Sequence, residues 1–194
     1  MDALLERLDP RCHAFELVYA PDASSCNGGQ LRLLRTSVTR LQFEKLAQIA
    51  KRHWGNKPSY KKLKCYRIDA KIMEISADAS EDAKVLEHSI LDAERVSSNP
   101  QWIWVSCVKE KLAYHMFPCT LQLHDVYLVE RMVYRLHHRV FLNFERQTYL
   151  DNESEEIYKV YINYNHDDTV DRSSILTTMM QALRILQGTL ESTF

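Results

Sequence analysis

The chain has 194 residues, with 25 basic side chains against 26 acidic ones, and 45% of its residues are hydrophobic. Such a balance belongs to one globular domain spanning residues 1–194, with a core of its own. It excludes disordered, collagenous and coiled-coil chains and gives no general attraction to polyanions. Four glycines leave little material for a phosphate-cradling loop. Five scattered cysteines (Cys12, Cys26, Cys65, Cys107 and Cys119) fit reduced thiols in a cytoplasmic or nuclear compartment. No apolar run reaches the roughly 18 to 20 residues that span a bilayer, so no membrane contact is expected. The opening segment, with Asp2 and Glu6 and no apolar centre, does not read as a secretory signal.

In chain order, apolar runs at 15–19 and 31–34 flank the polar stretch 21–30, the pattern of a strand pair joined by an exposed loop. Thr39 and Gln42 stand at capping-box spacing and open a helix. Its apolar stripe is Phe43, Leu46, Ile49, Ala50, His53 and Trp54, and Gly55 falls where a left-handed cap belongs. Alternation over 64–72 predicts one strand. Residues 80–96 return to helical spacing, with Ala83, Leu86, Ile90 and Ala93 inward and Asn99-Pro100 as the stop. Residues 102–117 predict a strand with a candidate fold-back at 108–111.

The valines of 126–149 also fit a helical stripe, but β-branched and aromatic content favours two strands with a turn near His137-His138. A strand follows at 157–164 and a polar turn at 165–169. The last helix carries Ile175, Met179, Ala182, Leu183, Leu186 and Leu190, with Asp171 or Ser173 as its cap. The expected fold class is α+β: a mainly antiparallel sheet of about six to seven strands with about three helices on it, the C-terminal helix closing the core.

Cys107, His115, Cys119 and His124 lie close together, but their spacing matches no zinc ribbon or finger, and no metal site or cofactor is expected from them. The acidic stretch 165–171 reads as a turn with a helix cap. No GxSxG, HExxH, P-loop or GxGxxG is present, no catalytic residue stands out, and the balance leans away from an enzyme. The leading expectation is therefore a non-catalytic protein–protein interaction or assembly subunit, possible self-association included. Its contacts would be Trp102, Trp104, Tyr158, Tyr161, Met179 and Met180, since Tyr, Trp and Met favour interfaces. An alternative is RNA or DNA binding through Lys61, Lys62, Lys64, Arg131, Arg135 and Arg139, with nearby tyrosines to stack on bases.

A third reading rests on a resemblance. Arg, Lys and Glu alternating on antiparallel strands resemble the wall of metal-dependent RNA triphosphatases, closed β-tunnels that grip a triphosphate. The resemblance implies a phosphohydrolase with a carboxylate-lined tunnel and metal ions. None of the predicted strands carries that family's Glu-x-Glu pair.

Overall fold

The structure is a computed structural model that describes residues 14–19, 38–55, 57–68, 71–76, 85–96, 99–112, 125–150, 155–165 and 172–191. Its elements in order are β1 (Ala14–Tyr19), α1 (Arg40–Trp54), β2 (Ser59–Ile68), β3 (Lys71–Ser76), β4 (Val85–Val96), β5 (Asn99–Leu112), β6 (Asp125–His137), β7 (Val140–Tyr149), β8 (Glu156–Asn165) and α2 (Arg172–Glu191). The eight strands close into a barrel in the order β1-β5-β4-β3-β2-β6-β7-β8. Every ladder is antiparallel. The antiparallel α+β class therefore stands, but the sheet is a ring without edges, and the described residues hold two helices rather than three.

Each revised element has a physical reason. β1 pairs on one side with β5 and on the other with β8. Both hydrogen-bonding edges of β1 are thereby filled, and residues 31–34, expected to pair with it, lie outside the described residues. The strand expected over 64–72 is two strands, because Ile68 and Lys71 are register partners across a hairpin. The helix expected over 80–96 is instead β4, a 12-residue strand. A register shift between Ile90 and Asp92 explains the false signal. An extra residue in a bulge reverses the alternation, so one strand's apolar residues take on spacings of three and four. β5 runs unbroken through 108–111.

Other expectations match. β6 and β7 form the hairpin with its turn at His138-Arg139. α1 begins on the capping box: Gln42 N donates to Thr39 Oγ1 (3.2 Å), and Thr39 N donates to Gln42 Oε1 (2.9 Å). At its end Gly55 takes φ 87° and ψ −175°, an extended positive-φ conformation open to glycine, rather than the left-handed helical one. His53 is exposed and so lies off the apolar stripe. In α2, Ser173 sits in the first turn, and Asp171 lies outside the described residues.

An eight-stranded barrel leaves room for side chains or one small ligand, not for helices. The helices therefore cover the outside, and the main core lies between them and the wall. Leu46, Ile49 and Ala50 of α1 and Ile175, Met179, Leu183 and Leu186 of α2 meet Leu142, Phe144, Val160, Ile162 and Tyr164 of the wall. Phe43 stacks edge-on against Phe144 at 5.5 Å between centroids. Val38 extends the cover beyond β1 by donating its amide to Tyr158 O at 2.9 Å.

Candidate functional site

Alternation fixes what faces the lumen. On β8, Tyr158, Val160, Ile162 and Tyr164 belong to the outer core, so Lys159, Tyr161 and Asn163 point the other way. On β7, Leu142 and Phe144 face the helices, which turns Asn143, Glu145 and Gln147 inward. These inward groups are polar and yet buried: Asn143, Glu145 and Gln147 are 4%, 4% and 3% exposed, and Lys159 and Asn163 are 9% and 8%.

The register sets the charged groups in one row across four strands. Lys61 on β2 lies opposite Arg131 on β6, Arg131 opposite Glu145 on β7, and Glu145 opposite Lys159 on β8. Three cations and one carboxylate thus lie along the row, and Arg131 pairs with Glu145 directly. Arg131 Nε donates to Glu145 Oε1 at 2.5 Å, and the Tyr161 hydroxyl donates to the same oxygen. Gln147 Nε2 donates to Glu145 Oε2 at 3.3 Å. Both carboxylate oxygens are therefore occupied by protein donors. The Gln147 contact also leaves its Oε1 as a buried acceptor with no hydrogen-bond partner among the described residues. One strand position along, Asn143 Nδ2 donates to Asn163 Oδ1 at 2.6 Å. Below the row the described lumen side chains of β2 and β6 are apolar: Cys65, Tyr127 and Val129 are buried there with Leu63 and Tyr149 against them.

A buried ion pair is seldom the most stable filling, since apolar residues of the same volume do as well or better. A polar layer in a closed barrel, three cations to one anion, is instead the chemistry of a pocket for an anionic group. The outer surface of the same strands carries a different set. There Lys62 meets Glu130 (3.1 Å), while Arg146 meets Glu130 (3.8 Å) and Glu156 (3.1 Å), a solvated ladder.

The sequence-based sites are divided by this geometry. Lys61 and Arg131 come together in the lumen row, whereas Lys62 and Lys64 stand on the opposite face of β2. Arg135 is exposed near the β6–β7 turn, and Arg139 lies within that turn. No single basic face carries all six. Trp102 and Met179 are fully buried in the outer core and Tyr158 nearly so. Their aromatic and thioether surface is spent on α1, α2 and β1, with Tyr19 and Trp102 rings 5.2 Å apart. Met180 packs at the edge of this core, Tyr161 points into the lumen, and the Trp104 side chain lies outside the described residues, as do His115, Cys119, His124 and 166–171.

Glu145, Lys159, Asn143, Asn163 and Gln147 were not singled out by sequence reasoning. Their signal was present as polar residues alternating with Leu142, Phe144, Val160 and Ile162. An open sheet would place them in water, and only ring closure turns them into a site.

The fold has known counterparts. The S. pombe Pct1 RNA triphosphatase matches with TM-score 0.64 at 10% identity, over 95% of this chain and 87% of that one. The RNA triphosphatase domain of the mimivirus mRNA capping enzyme matches with TM-score 0.61 at 8% identity, over 96% and 95% of the two chains. At these identities the likeness is one of fold. No family model and no curated protein sequence matches the chain. No helix among the described residues is long and apolar enough to cross a membrane.

The metal centre that the tunnel resemblance implies can be tested on the donors present. Hard divalent cations take six or more oxygen ligands, usually several carboxylates. Among the described residues no group of three His, Cys, Asp or Glu side chains could hold a metal ion. The inward positions of β7 and β8 supply one carboxylate, Glu145, already held by Arg131, Tyr161 and Gln147. The described donors do not fit a divalent cation.

Proposed function

We propose that the barrel receives the triphosphate end of an RNA or a nucleoside triphosphate and hydrolyses its terminal phosphoanhydride, as a phosphohydrolase of the RNA triphosphatase type. The observation that carries this reading is the lumen row of Lys61, Arg131 and Lys159 around Glu145 in a closed barrel. The shared fold with two RNA triphosphatases supports it.

Phosphoryl transfer asks little covalent chemistry of a protein and depends on positioning and charge stabilisation. Cationic groups inside a low-dielectric wall act on the phosphate oxygens far more strongly than they would in water. Arg131, its guanidinium oriented by Glu145, and Lys159 bind the anionic oxygens, and Lys61, exposed at the end of the row, meets the incoming chain. Asn143 and Asn163 add amide donors. Gln147 Oε1, the buried acceptor, is available to accept a hydrogen bond from a lumen water and so orient it toward the terminal phosphorus, the water's proton passing to the released phosphate. The test is release of inorganic phosphate from triphosphate-ended RNA and, in parallel, from ATP, with and without magnesium or manganese. Release that Lys159→Met and Lys61→Met diminish supports the reading; no release from either substrate by folded protein refutes it.

A further inference from the structure

We infer that the lumen captures its triphosphate directly, by guanidinium, ammonium and amide groups, without a divalent cation bridging phosphate to the wall. This rests on the triphosphate reading above and specifies how the ligand is held. A bridging cation needs carboxylate oxygens free to face it. Glu145 is poorly placed for one: Oε1 accepts from both Arg131 and Tyr161, Oε2 accepts from Gln147, and a cation on this carboxylate would sit against the Arg131 guanidinium. None of the three strands β1, β7 and β8 sets two carboxylates two residues apart on its described lumen positions. Those positions read Glu16 and Val18 on β1, Asn143, Glu145 and Gln147 on β7, and Lys159, Tyr161 and Asn163 on β8.

At the β1–β8 seam Glu16 is register partner to Asn163, and Val18 to Tyr161, so that seam contributes one carboxylate beside an amide, a phenol and an isopropyl group. The cations take the role the metal would otherwise have. Arg131 presents a planar fork suited to two phosphate oxygens, and Lys159 a point charge on the neighbouring side of Glu145. In this arrangement Glu145 orients Arg131 and lowers the charge density of the row; it is a positioning residue rather than a ligand.

The probe is inorganic tripolyphosphate, titrated by calorimetry into the full chain at low salt, once with EDTA and once with manganese; manganese alone is titrated separately. Binding in EDTA within about threefold of that in manganese, with no heat from manganese alone, is the expected result. Binding that requires manganese, or saturable binding of manganese by itself, overturns the inference and leaves the triphosphate reading standing. No binding in either buffer overturns both.

Two variants sharpen the assignment. Arg131→Met with Glu145→Leu removes both charges of the direct ion pair, and should weaken tripolyphosphate at least tenfold in EDTA. Glu145→Gln keeps an acceptor for Arg131 and removes a negative charge, so its affinity in EDTA should equal or exceed that of the parent. A loss of affinity in Glu145→Gln seen in manganese but not in EDTA, with the thermal melt unchanged, would mark Glu145 as a metal ligand and overturn the inference.

Discussion

The two faces of the β7–β8 wall are built from the same ten-residue strands and differ in everything but backbone. Outward, Leu142, Phe144, Val160 and Ile162 are completely buried under two helices. Inward, one residue away in each case, Asn143, Glu145, Lys159 and Asn163 are nearly as buried but polar. Burial alone therefore does not distinguish core from site here. The outer face holds the fold by removing apolar area from water, roughly 25 cal/mol per Å². The inner face holds a set of charges that a purely structural barrel would replace with hydrocarbon.

Substitutions on the two faces should break differently. Phe144→Ala, which opens a cavity between wall and α1, is expected to cost about 4 kcal/mol in urea denaturation. Arg131→Met takes the ion-pair partner from buried Glu145, at about 3 kcal/mol, whereas Arg131→Met with Glu145→Leu should recover most of that loss. If the double variant were as unstable as the single one, the inner face would be structural and the contrast would fail.

Thr39→Ala, which removes one half of the capping box, should cost about 1 kcal/mol without changing phosphate binding. Lys62→Ala on the solvated ladder should change stability by less than about 0.5 kcal/mol. The smallest effect concerns alkaline pH. The Tyr158 hydroxyl donates to Glu156, and this bond, with burial, raises its pKa above that of a free tyrosine. The folded state then keeps a proton that the unfolded chain loses near about pH 10. Its contribution is present in full below that pH and is lost as pH rises through the folded value. Denaturation at about pH 9 and about pH 11 should show a smaller alkaline loss in Tyr158→Phe than in the parent.

What the sequence made legible follows the length over which a local pattern stays in phase. α1 is readable because Thr39 and Gln42 mark its start and the stripe from Phe43 to Ala50 keeps one period. β8 is readable because Tyr158 to Tyr164 alternates without interruption. β4 is not, since its shift at Ile90/Asp92 breaks the phase within the strand. The site is least legible of all. Arg131 and Lys61 were visible as basic residues, but their meeting depends on β2 pairing with β6 across more than 50 residues of chain. Glu145, in the sequence one acid among 26 acidic residues, is in the fold the group that orients Arg131.

The ring closure has a bearing on how the chain is made. β1 has both partners downstream, at residues 99–112 and 156–165, so during synthesis it is exposed long before either exists. At ordinary ribosome speeds of about 5 to 20 residues per second, that interval is on the order of ten seconds. For that time its Phe15, Leu17 and Tyr19 form a naked apolar β segment, while the β6–β7 hairpin, whose contacts are local, can form as soon as it emerges. Nascent-chain aggregation, if it troubles this protein, should therefore start at its amino-terminal strand and be relieved by a holding chaperone.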